Sequence, residues 1–438
     1  MYVKKIALTN VKSFGRFDWE LPPGVPAAGW HVLLGDNGSG KSTLLRACAA
    51  ALLGDREAMA LRLKSNFAEW VTHGRDEAGI ALTLEQDPRW DGWSGKGKVS
   101  IRDLEAGILI GVDDSLKPMA HRPSPDRHVW GRGKGWFSAA FGPFRRFTGG
   151  NPEYDKLFRS NPKLARHLSI FGEDVALTET LSWLKQLRFE QLEQVQTGAN
   201  ASADGDDLLD AIKSFVNQPD FLPNDTRLSE VNSKEVVFLD GNGYRVPIES
   251  LSDGFRSILS MTLELIRQLA AVYGAREVFG DTNRRVIPPG VVLIDEIDVH
   301  LHPRWQRLVG PWLTAHFPNM QFLVTTHSPL VCQGAERGSV TRLPQPGNDD
   351  LGGPITGAAL NRLVYGDILE ALSSGAFGEE VGRSDTGQVK LEQLARLNVK
   401  ALREGLTPQE QERRNELQEI FGGNANLMET DGAADSRG

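Results

Sequence analysis

The chain has 438 residues, 40% of them hydrophobic, and its 49 basic and 57 acidic residues give a formal net charge of −8. This composition excludes a chain that is disordered throughout, and the length is typical of roughly two to four domains. Two cysteines are too few for a disulfide framework, and no apolar run approaches the roughly 20 residues that span a bilayer. The sequence therefore predicts a cytoplasmic protein without a membrane segment, in which any nucleic-acid surface is a local basic patch.

The first segment, residues 1–119, is predicted to be rich in β-strands. Alternating apolar and polar residues predict strands over 2–8, 80–84, 99–101 and 108–112, and a short apolar run over 30–34 predicts a buried strand. Between them, apolar residues on one broad face predict a helix over 41–53, which Gly54 ends. We expect the later strands to form a small, mainly antiparallel lobe.

The remaining chain is predicted to divide into three further segments. Residues 120–232 mix Pro and Gly with helical patterns and are expected to form an inserted, mainly helical lobe. Residues 233–345 contain short apolar runs separated by helical patterns, which favours a buried, mostly parallel sheet. Residues 346–438 begin with a Pro/Gly-rich linker and continue as amphipathic helices. The predicted fold class is therefore α/β.

A glycine-rich loop follows the short buried strand and opens the predicted helix. Its sequence fits the pattern G-x-x-x-x-G-K-[ST]. Glycines let backbone N–H groups approach phosphate oxygens, and the helix N-terminus adds a favourable dipole. Lys41 would reach the terminal phosphates, and Ser42 would offer a hydroxyl to Mg²⁺. The residues predicted to bind ATP are Gly35, Asn37, Gly38, Ser39, Gly40, Lys41, Ser42 and Thr43.

Two adjacent acids, Asp295 and Glu296, end a second apolar run. Because successive side chains of a strand point to opposite faces, the two carboxylates cannot share one role. We expect Asp295 to bind Mg²⁺ and Glu296 to polarise the water that attacks the terminal phosphate.

Two further segments resemble parts of the ATP-binding-cassette (ABC) ATPases. Residues 251–257 precede a long apolar-striped helix and resemble the signature segment of that class, and His327 ends an apolar run as the switch histidine does. The resemblance implies that a second copy of the chain contributes its signature to the bound ATP, and that His327 senses the γ-phosphate or orients the water. The signature residues are Ser252, Gly254 and Arg256.

These motifs occur in the chain order of the ABC class. The chain therefore resembles an ABC-type ATPase head, with a mostly parallel phosphate-loop sheet, an antiparallel β lobe, an inserted helical lobe and a C-terminal helical segment. The resemblance implies ATP and Mg²⁺ as cofactors and an ATP-dependent homodimer or higher oligomer. The implied catalytic residues are Lys41, Glu296 and His327.

Further segments, with weaker motif matches, resemble narrower groups of ATPases. Residues 6–14 and the stretch 295–303, which contains His-Leu-His-Pro, resemble the RecF and OLD-type ATPases. Residues 135–147, 365–370 and 407–410 look like the PtuA-type ATPases of anti-phage defence modules. This resemblance implies that the chain regulates a separate effector, such as an HNH nuclease. The helices after residue 346 show no strand-end acids of a nuclease domain, so we expect none in this chain.

A RecF-like clamp that binds DNA itself is the alternative. Residues 121–150 contain six basic residues and one acid, Asp126, and such a stretch could contact nucleic-acid phosphates or an acidic partner. The other interpretation is a solvated loop with one arginine that reaches the nucleotide. The basic residues are Arg122, Arg127, Arg132, Lys134, Arg145 and Arg146.

Overall fold

The computed structural model describes residues 1–63, 65–95, 103–145, 160–172, 179–197, 206–219, 221–222, 225–280, 284–345, 352–366 and 385–421. The chain divides into two compact units, Met1–Ala371 and Leu372–Gly438. The division predicted from the sequence, at residues 119, 232 and 345, stays a prediction. No helix in the described ranges is both long and apolar enough to span a membrane.

The strands fall into three sheets, all in the first unit. The described strands are β1 (Tyr2–Val11), β2 (Phe14–Glu20), β3 (Gly29–Leu34), β4 (Glu77–Glu85), β5 (Asp103–Gly111), β6 (Leu116–Pro118), β7 (Ser138–Phe141), β8 (Arg227–Val231), β9 (Val236–Leu239), β10 (Arg245–Pro247), β11 (Gly290–Ile294), β12 (Met320–Thr326), β13 (Gly338–Arg342) and β14 (Gly353–Ile355).

The helices occur in both units. The described α-helices are α1 (Lys41–Leu53), α2 (Asp55–Met59), α3 (Pro162–Ala165), α4 (Glu179–Thr197), α5 (Asp206–Val216), α6 (Asp253–Tyr273), α7 (Ala275–Val278), α8 (Pro303–His316), α9 (Pro329–Cys332), α10 (Gly357–Tyr365), α11 (Asp385–Arg403) and α12 (Pro408–Phe421).

The central sheet has six strands in the order β14-β13-β3-β12-β11-β7. All neighbours pair in parallel except β13 and β14. Every residue of β3, β11 and β12 is buried, which explains why these strands read as continuous apolar runs instead of alternating ones. Because the strands are parallel, the loops that follow β3, β11 and β12 lie at one edge of the sheet.

A second sheet is antiparallel, with the order β2-β1-β4-β5-β6. Helix α1 contacts strands of both sheets, and ten of its thirteen residues are buried. Its run of alanines from Ala49 to Ala51 has no side chain larger than a methyl group, so the helix can lie close to its neighbours. The predicted α/β class, with a mostly parallel sheet and an antiparallel lobe, is confirmed.

The segment that was expected to be an inserted helical lobe contributes more than helices. Strand β7 lies within it and pairs in parallel with β11, so that Phe141 is opposite Ile294. Helix α4 packs against α5 and α6, and β8 to β10 form a separate three-stranded sheet. The predicted strand at residues 99–101 lies outside the described residues.

The second unit contains the hairpin of α11 and α12. Reciprocal hydrogen bonds cap the start of α12: Thr407 N donates to Glu410 Oε2 at 2.9 Å, and Glu410 N donates to Thr407 Oγ1 at 3.4 Å. Lys400 Nζ donates to Glu410 Oε1 at 2.6 Å and ties the two helices together.

Candidate functional site

The predicted phosphate loop joins the end of β3 to the start of α1. Gly38 and Gly40 have φ angles of 81° and 89°, in the left-handed region that favours glycine. A Cβ at Gly40 would overlap the ring of Phe14, so the position also has no room for a side chain. The first N–H groups of α1 have no acceptor within the helix. The loop therefore presents backbone donors and a helix N-terminus to an anion.

Ser39 supports the same interpretation of the loop. Its hydroxyl oxygen is buried and has no hydrogen-bond partner among the described residues. A buried hydroxyl usually has a partner. A phosphate group bound in this loop would supply one.

Lys41 is only 5% exposed and lies at the carboxyl edge of the central sheet. Its Nζ donates to the carbonyl oxygens of Gly35 at 2.6 Å and Asp36 at 2.8 Å. Burial lowers the pKa of Lys41, and the carboxylates of Glu296 and Asp295 oppose that effect. The two carboxylates are therefore close enough to Lys41 to act on it electrostatically.

Asp295 and Glu296 follow β11, and a threonine from the neighbouring strand β12 holds both. Thr325 Oγ1 donates to Asp295 Oδ1 at 2.6 Å and accepts from Glu296 N at 2.8 Å. Asp295 is 1% exposed, while Glu296 is half-buried and has a φ of 47°. No described residue donates to Asp295 Oδ2. Asp295 is thus fixed with one carboxylate oxygen still available, and the chain turns at Glu296.

The residues after β12 complete this edge of the sheet. Thr326 Oγ1 donates to Asp298 Oδ1 at 2.6 Å, which fixes the loop that follows the acid pair. His327 is the next residue and is exposed. It ends the strand that pairs with β3, so it lies at the same edge as the phosphate loop.

The signature residues lie together at the N-terminus of α6. Ser252 is the N-cap residue and is exposed, and its side chain makes no capping hydrogen bond. A Cβ on Gly254 would overlap the carbonyl of His300, so α6 begins in close contact with the loop after β11. Arg256 forms an ion pair with Asp253. Within the described part of one chain, no hydrogen bond joins Ser252 or Gly254 to the phosphate loop.

Arg145 is a site residue that the sequence motifs did not single out. It was grouped with the surface basic stretch, but it is 4% exposed and therefore is not part of a surface. Its guanidinium donates to Asp295 O at 3.0 Å, Glu296 O at 3.2 Å and Ser257 Oγ at 3.0 Å. Burial lowers its pKa to about 10, and the charge of Asp295 opposes this shift most strongly.

Arg145 thus connects the acid loop to the signature helix, because Ser257 lies on α6. One signal could have identified it. The residue follows an apolar strand that neighbours β11, in a segment that contains Gly142 and Pro143. A charged residue in that context marks the end of a central strand, where ligands bind in α/β sheets.

Parts of the chain are similar to known proteins. Residues 162–333 match a family model described as "AAA domain, putative AbiEii toxin, Type IV TA system". The chain is 27% identical over 346 residues to the Septu protein PtuA of Bacillus mycoides (strain KBAB4), a match that covers 78% of this chain and 40% of that protein. It is 37% identical over 116 residues to the Retron Ec83 probable ATPase of Escherichia coli, covering 26% of this chain and 20% of that protein.

Among solved structures, the SmcHead bound to the C-winged helix domain of ScpA matches with a TM-score of 0.47 and 14% identity, over 81% of this chain and 98% of that chain. The chain spans less than half the length of the curated relatives that it matches. By sequence, the chain carries an AAA domain match and is a distant homologue of the Septu protein PtuA and of the retron ATPases.

Proposed function

We propose that this chain binds ATP and hydrolyses it to ADP and phosphate. One observation carries the proposal: the glycine-rich loop with Lys41 and the acid pair of Asp295 and Glu296 lie at the same edge of a parallel sheet, where ligands bind, and the two carboxylates act electrostatically on Lys41. The phosphates of a bound nucleotide would replace the loop carbonyls as acceptors for Lys41. Glu296 would accept a proton from the attacking water, and His327 would contact the γ-phosphate.

The site has oxygen groups of the kind that Mg²⁺ takes. Mg²⁺ bound with a nucleotide keeps several waters and uses only one or two protein oxygens. The Ser42 hydroxyl and the free Oδ2 of Asp295 would hold it, and Thr325 keeps Asp295 oriented. The ion would neutralise negative charge on the β- and γ-phosphates.

The first test compares Lys41→Ala and Glu296→Gln with the unchanged chain. We expect both variants to lower phosphate release by about 100-fold or more, because one loses a phosphate contact and the other loses the base. Only Lys41→Ala should weaken the binding of a fluorescent ATP analogue. The controls are Lys117→Ala and Glu336→Gln, which change exposed residues. Unchanged turnover in Glu296→Gln would contradict the assigned role.

We further propose that two copies of the chain close around ATP, each contributing Ser252, Gly254 and Arg256 to the site of the other. In support, Ser252 is exposed at the start of a long helix and leaves its hydroxyl unused in capping. The N-terminus of such a helix favours an anion. Because Glu296→Gln lacks the base for hydrolysis, it should keep ATP bound and remain a dimer. Light scattering in the presence of ATP should detect that dimer.

Mixing two inactive variants tests the sharing of sites. A chain with Lys41→Ala lacks the phosphate contact, and a chain with Ser252→Arg lacks the signature. If the sites are shared, a heterodimer of the two has one intact site, and the mixture should regain up to about a quarter of the turnover by random pairing. No recovery, although both variants still dimerise, would show that each site is built from one chain.

We propose that the biological role of ATP turnover is to control a separate effector, such as an HNH nuclease, in anti-phage defence. The support is the similarity to PtuA and retron ATPases. Purification from the native locus should recover the effector together with the chain. Duplex DNA binding by the chain alone, strengthened by ATP and weakened steeply by salt, would instead favour the RecF-like clamp.

A further inference from the structure

A cavity of about 680 Å³ lies at the C-terminal end of α1. The phosphate loop is at the other end of this helix, and thirteen residues separate the two. That length corresponds to about 20 Å, so the cavity is distinct from the candidate ATP site. Its wall is formed by the end of α1, the loop before β7, α3 and α6. Three residues of the wall carry the argument: Lys163, Arg166 and Gln268.

Arg166 is a cation without a counter-charge at this cavity. Its guanidinium lies over the ring of Phe137, with 5.2 Å between the guanidinium carbon and the ring centre. Its Nε atom is buried and has no hydrogen-bond partner, and no carboxylate in the described ranges forms an ion pair with it. Burial lowers the pKa of Arg166 to about 10. A desolvated cation of this kind is costly until an anion pairs with it.

Lys163 is the second cation of the wall. Its Nζ donates to Val129 O at 2.9 Å and Leu53 O at 3.2 Å, two neutral acceptors. Burial lowers its pKa to about 7, the positive charge of Arg166 contributes to the decrease, and the carboxylates of Glu57 and Asp126 oppose it. Lys163 lies in α3 and Arg166 is its C-cap residue, three positions later, so the two cations are neighbours that repel each other, and an anion near both would relieve that repulsion.

The wall also contains three acids, but none of them forms an ion pair with these two cations in the described ranges. Glu57 accepts from Asn161 Nδ2, and Asp126 accepts from Ser124 Oγ at 3.3 Å. Asp55 begins α2. Within the described part of the chain, none of the three forms an ion pair with Lys163 or Arg166.

Gln268 gives an independent indication of a ligand. It is 5% exposed and lines the cavity, and its Nε2 donates to Glu264 Oε1 at 2.7 Å. Its Oε1 is buried and has no donor among the described residues. The wall therefore has an unpaired acceptor as well as an unpaired cationic donor. A ligand that satisfies both carries an anion and a hydrogen-bond donor.

We propose that this cavity binds a small phosphorylated organic molecule, with its phosphate at Arg166 and Lys163 and a donor group at Gln268. Phosphate suits an arginine and a lysine with free donors. The cavity is larger than one phosphate needs and lies in the range of pockets that bind small organic ligands. It is also far too small for a nucleic-acid duplex.

The experiment uses the full chain with Lys41→Ala, so that the phosphate loop contributes little to binding. Inorganic phosphate, ribose 5-phosphate, adenosine 5′-monophosphate and adenosine are each titrated by calorimetry up to about 10 mM, which detects weak affinity. We expect at least one of the two phosphorylated organic probes to bind, and adenosine not to bind. Equal binding of inorganic phosphate would overturn the organic part of the proposal, and no binding by any phosphorylated probe would overturn all of it.

Substitutions in the cavity wall test whether the probe binds there. Arg166→Met keeps much of the apolar contact with Phe137 and removes the charge, so we expect probe affinity to fall by about 10-fold or more. Arg16→Met is the matched control, because the side chain of Arg16 is 84% exposed. Lys163→Met and Gln268→Met each test one further contact if Arg166→Met does not fold. Full affinity in a folded Arg166→Met chain, or in both of the other variants, would refute the assigned site.

Discussion

At the scale of single residues, Arg145 makes several hydrogen bonds to the candidate site that no sequence motif indicated. Its side chain reaches carbonyl oxygens of Gly142, Asp295 and Glu296, and the hydroxyl of Ser257. These acceptors are separated from it by as few as 3 and as many as 151 residues of sequence. A single guanidinium thus fixes the backbone of the acid loop and its distance from α6.

We predict that Arg145→Met lowers both stability and turnover. Several buried acceptors would lose their donor, at about 1–3 kcal/mol each, so the free energy of unfolding should fall by about 3 kcal/mol or more in urea. In the folded fraction, kcat should fall by about 10- to 100-fold because Glu296 is displaced. KM for ATP should change little, since the phosphate loop is untouched.

The comparison variants for this prediction are Arg145→Lys and Arg16→Met. The lysine keeps a charge without the planar set of donors, and we expect it to rescue little. Arg16 is largely exposed and should change neither quantity. A parallel rise in KM and fall in kcat would indicate direct contact with the nucleotide instead of a positioning role.

At the scale of elements, the contact between α6 and the loop after β11 depends on a glycine. A Cβ at Gly254 would overlap the backbone carbonyl of His300, which cannot move as a flexible side chain can. In an ordinary helix, alanine in place of glycine stabilises by about 1 kcal/mol. Here the close approach of α6 to the loop decides whether the substitution raises or lowers the stability.

We predict that Gly254→Ala destabilises the chain by about 1–3 kcal/mol, because the new methyl group forces α6 or the loop to shift. ATP turnover should fall with it, since α6 is also joined to the acid loop through Arg145. Thermal unfolding and phosphate release measure the two effects. Gly15→Ala is the control, since no atom lies within 4 Å of a Cβ there. A more stable Gly254→Ala chain would show that the approach is looser than described.

Local sequence patterns predict some of the elements and miss others. The helix expected over 41–53 matches α1, because its apolar face, the preceding glycines and Gly54 all lie within a short stretch. Strand β7 was not predicted. It has four residues, Ser138–Phe141, and two of them are alanine. Such a short run has no periodicity of its own, and pairing with β11 makes it a strand.

At the scale of the whole molecule, the packed interior contains neutral histidines. Burial lowers the pKa of His31 to about 4 and that of His167 to about 3. His31 is hydrogen-bonded to Ser339 Oγ and to Ala27 O, both at 2.9 Å. His167 is hydrogen-bonded to Lys163 O at 2.9 Å and to Ser138 Oγ at 3.1 Å. Both join segments that are distant in sequence.

We predict that acid destabilises the fold through these histidines. Below the unfolded pKa of about 6.5, the unfolded chain binds protons that the folded chain does not, so stability falls as pH decreases. Between pH 7 and 5, each histidine should lower the free energy of unfolding by about 2 kcal/mol. Chemical unfolding at both pH values measures this loss.

His31→Gln and His167→Gln should each show a smaller loss on acidification than the unchanged chain. His73→Gln is the control, because His73 is exposed and should leave the loss unchanged. Equal pH dependence in all four proteins would mean that the buried histidines do not control acid stability.

The sequence by itself was enough to locate the glycine-rich loop after β3, the acid pair after β11 and the histidine after β12, and to predict the α/β class. Each of these signals is contained in one strand and the few residues that follow it, so neighbours in sequence are enough to define it. The structure places Lys41 near Asp295 and Glu296 because parallel strands bring their carboxyl ends to one edge. That juxtaposition depends on the parallel pairing of β3, β12 and β11.

Only the tertiary structure decided that Arg145 is buried at the acid loop, that β7 belongs to the central sheet and that Arg166 and Lys163 face a cavity. Arg145 and Asp295 are 150 residues apart, and the cavity is lined by four separate stretches of chain. In sequence, Arg166 and Lys163 look like any solvated basic residue. Their environment is set by which elements pack around them, and burial without a counter-charge changes the free energy of a cation only after the chain has folded.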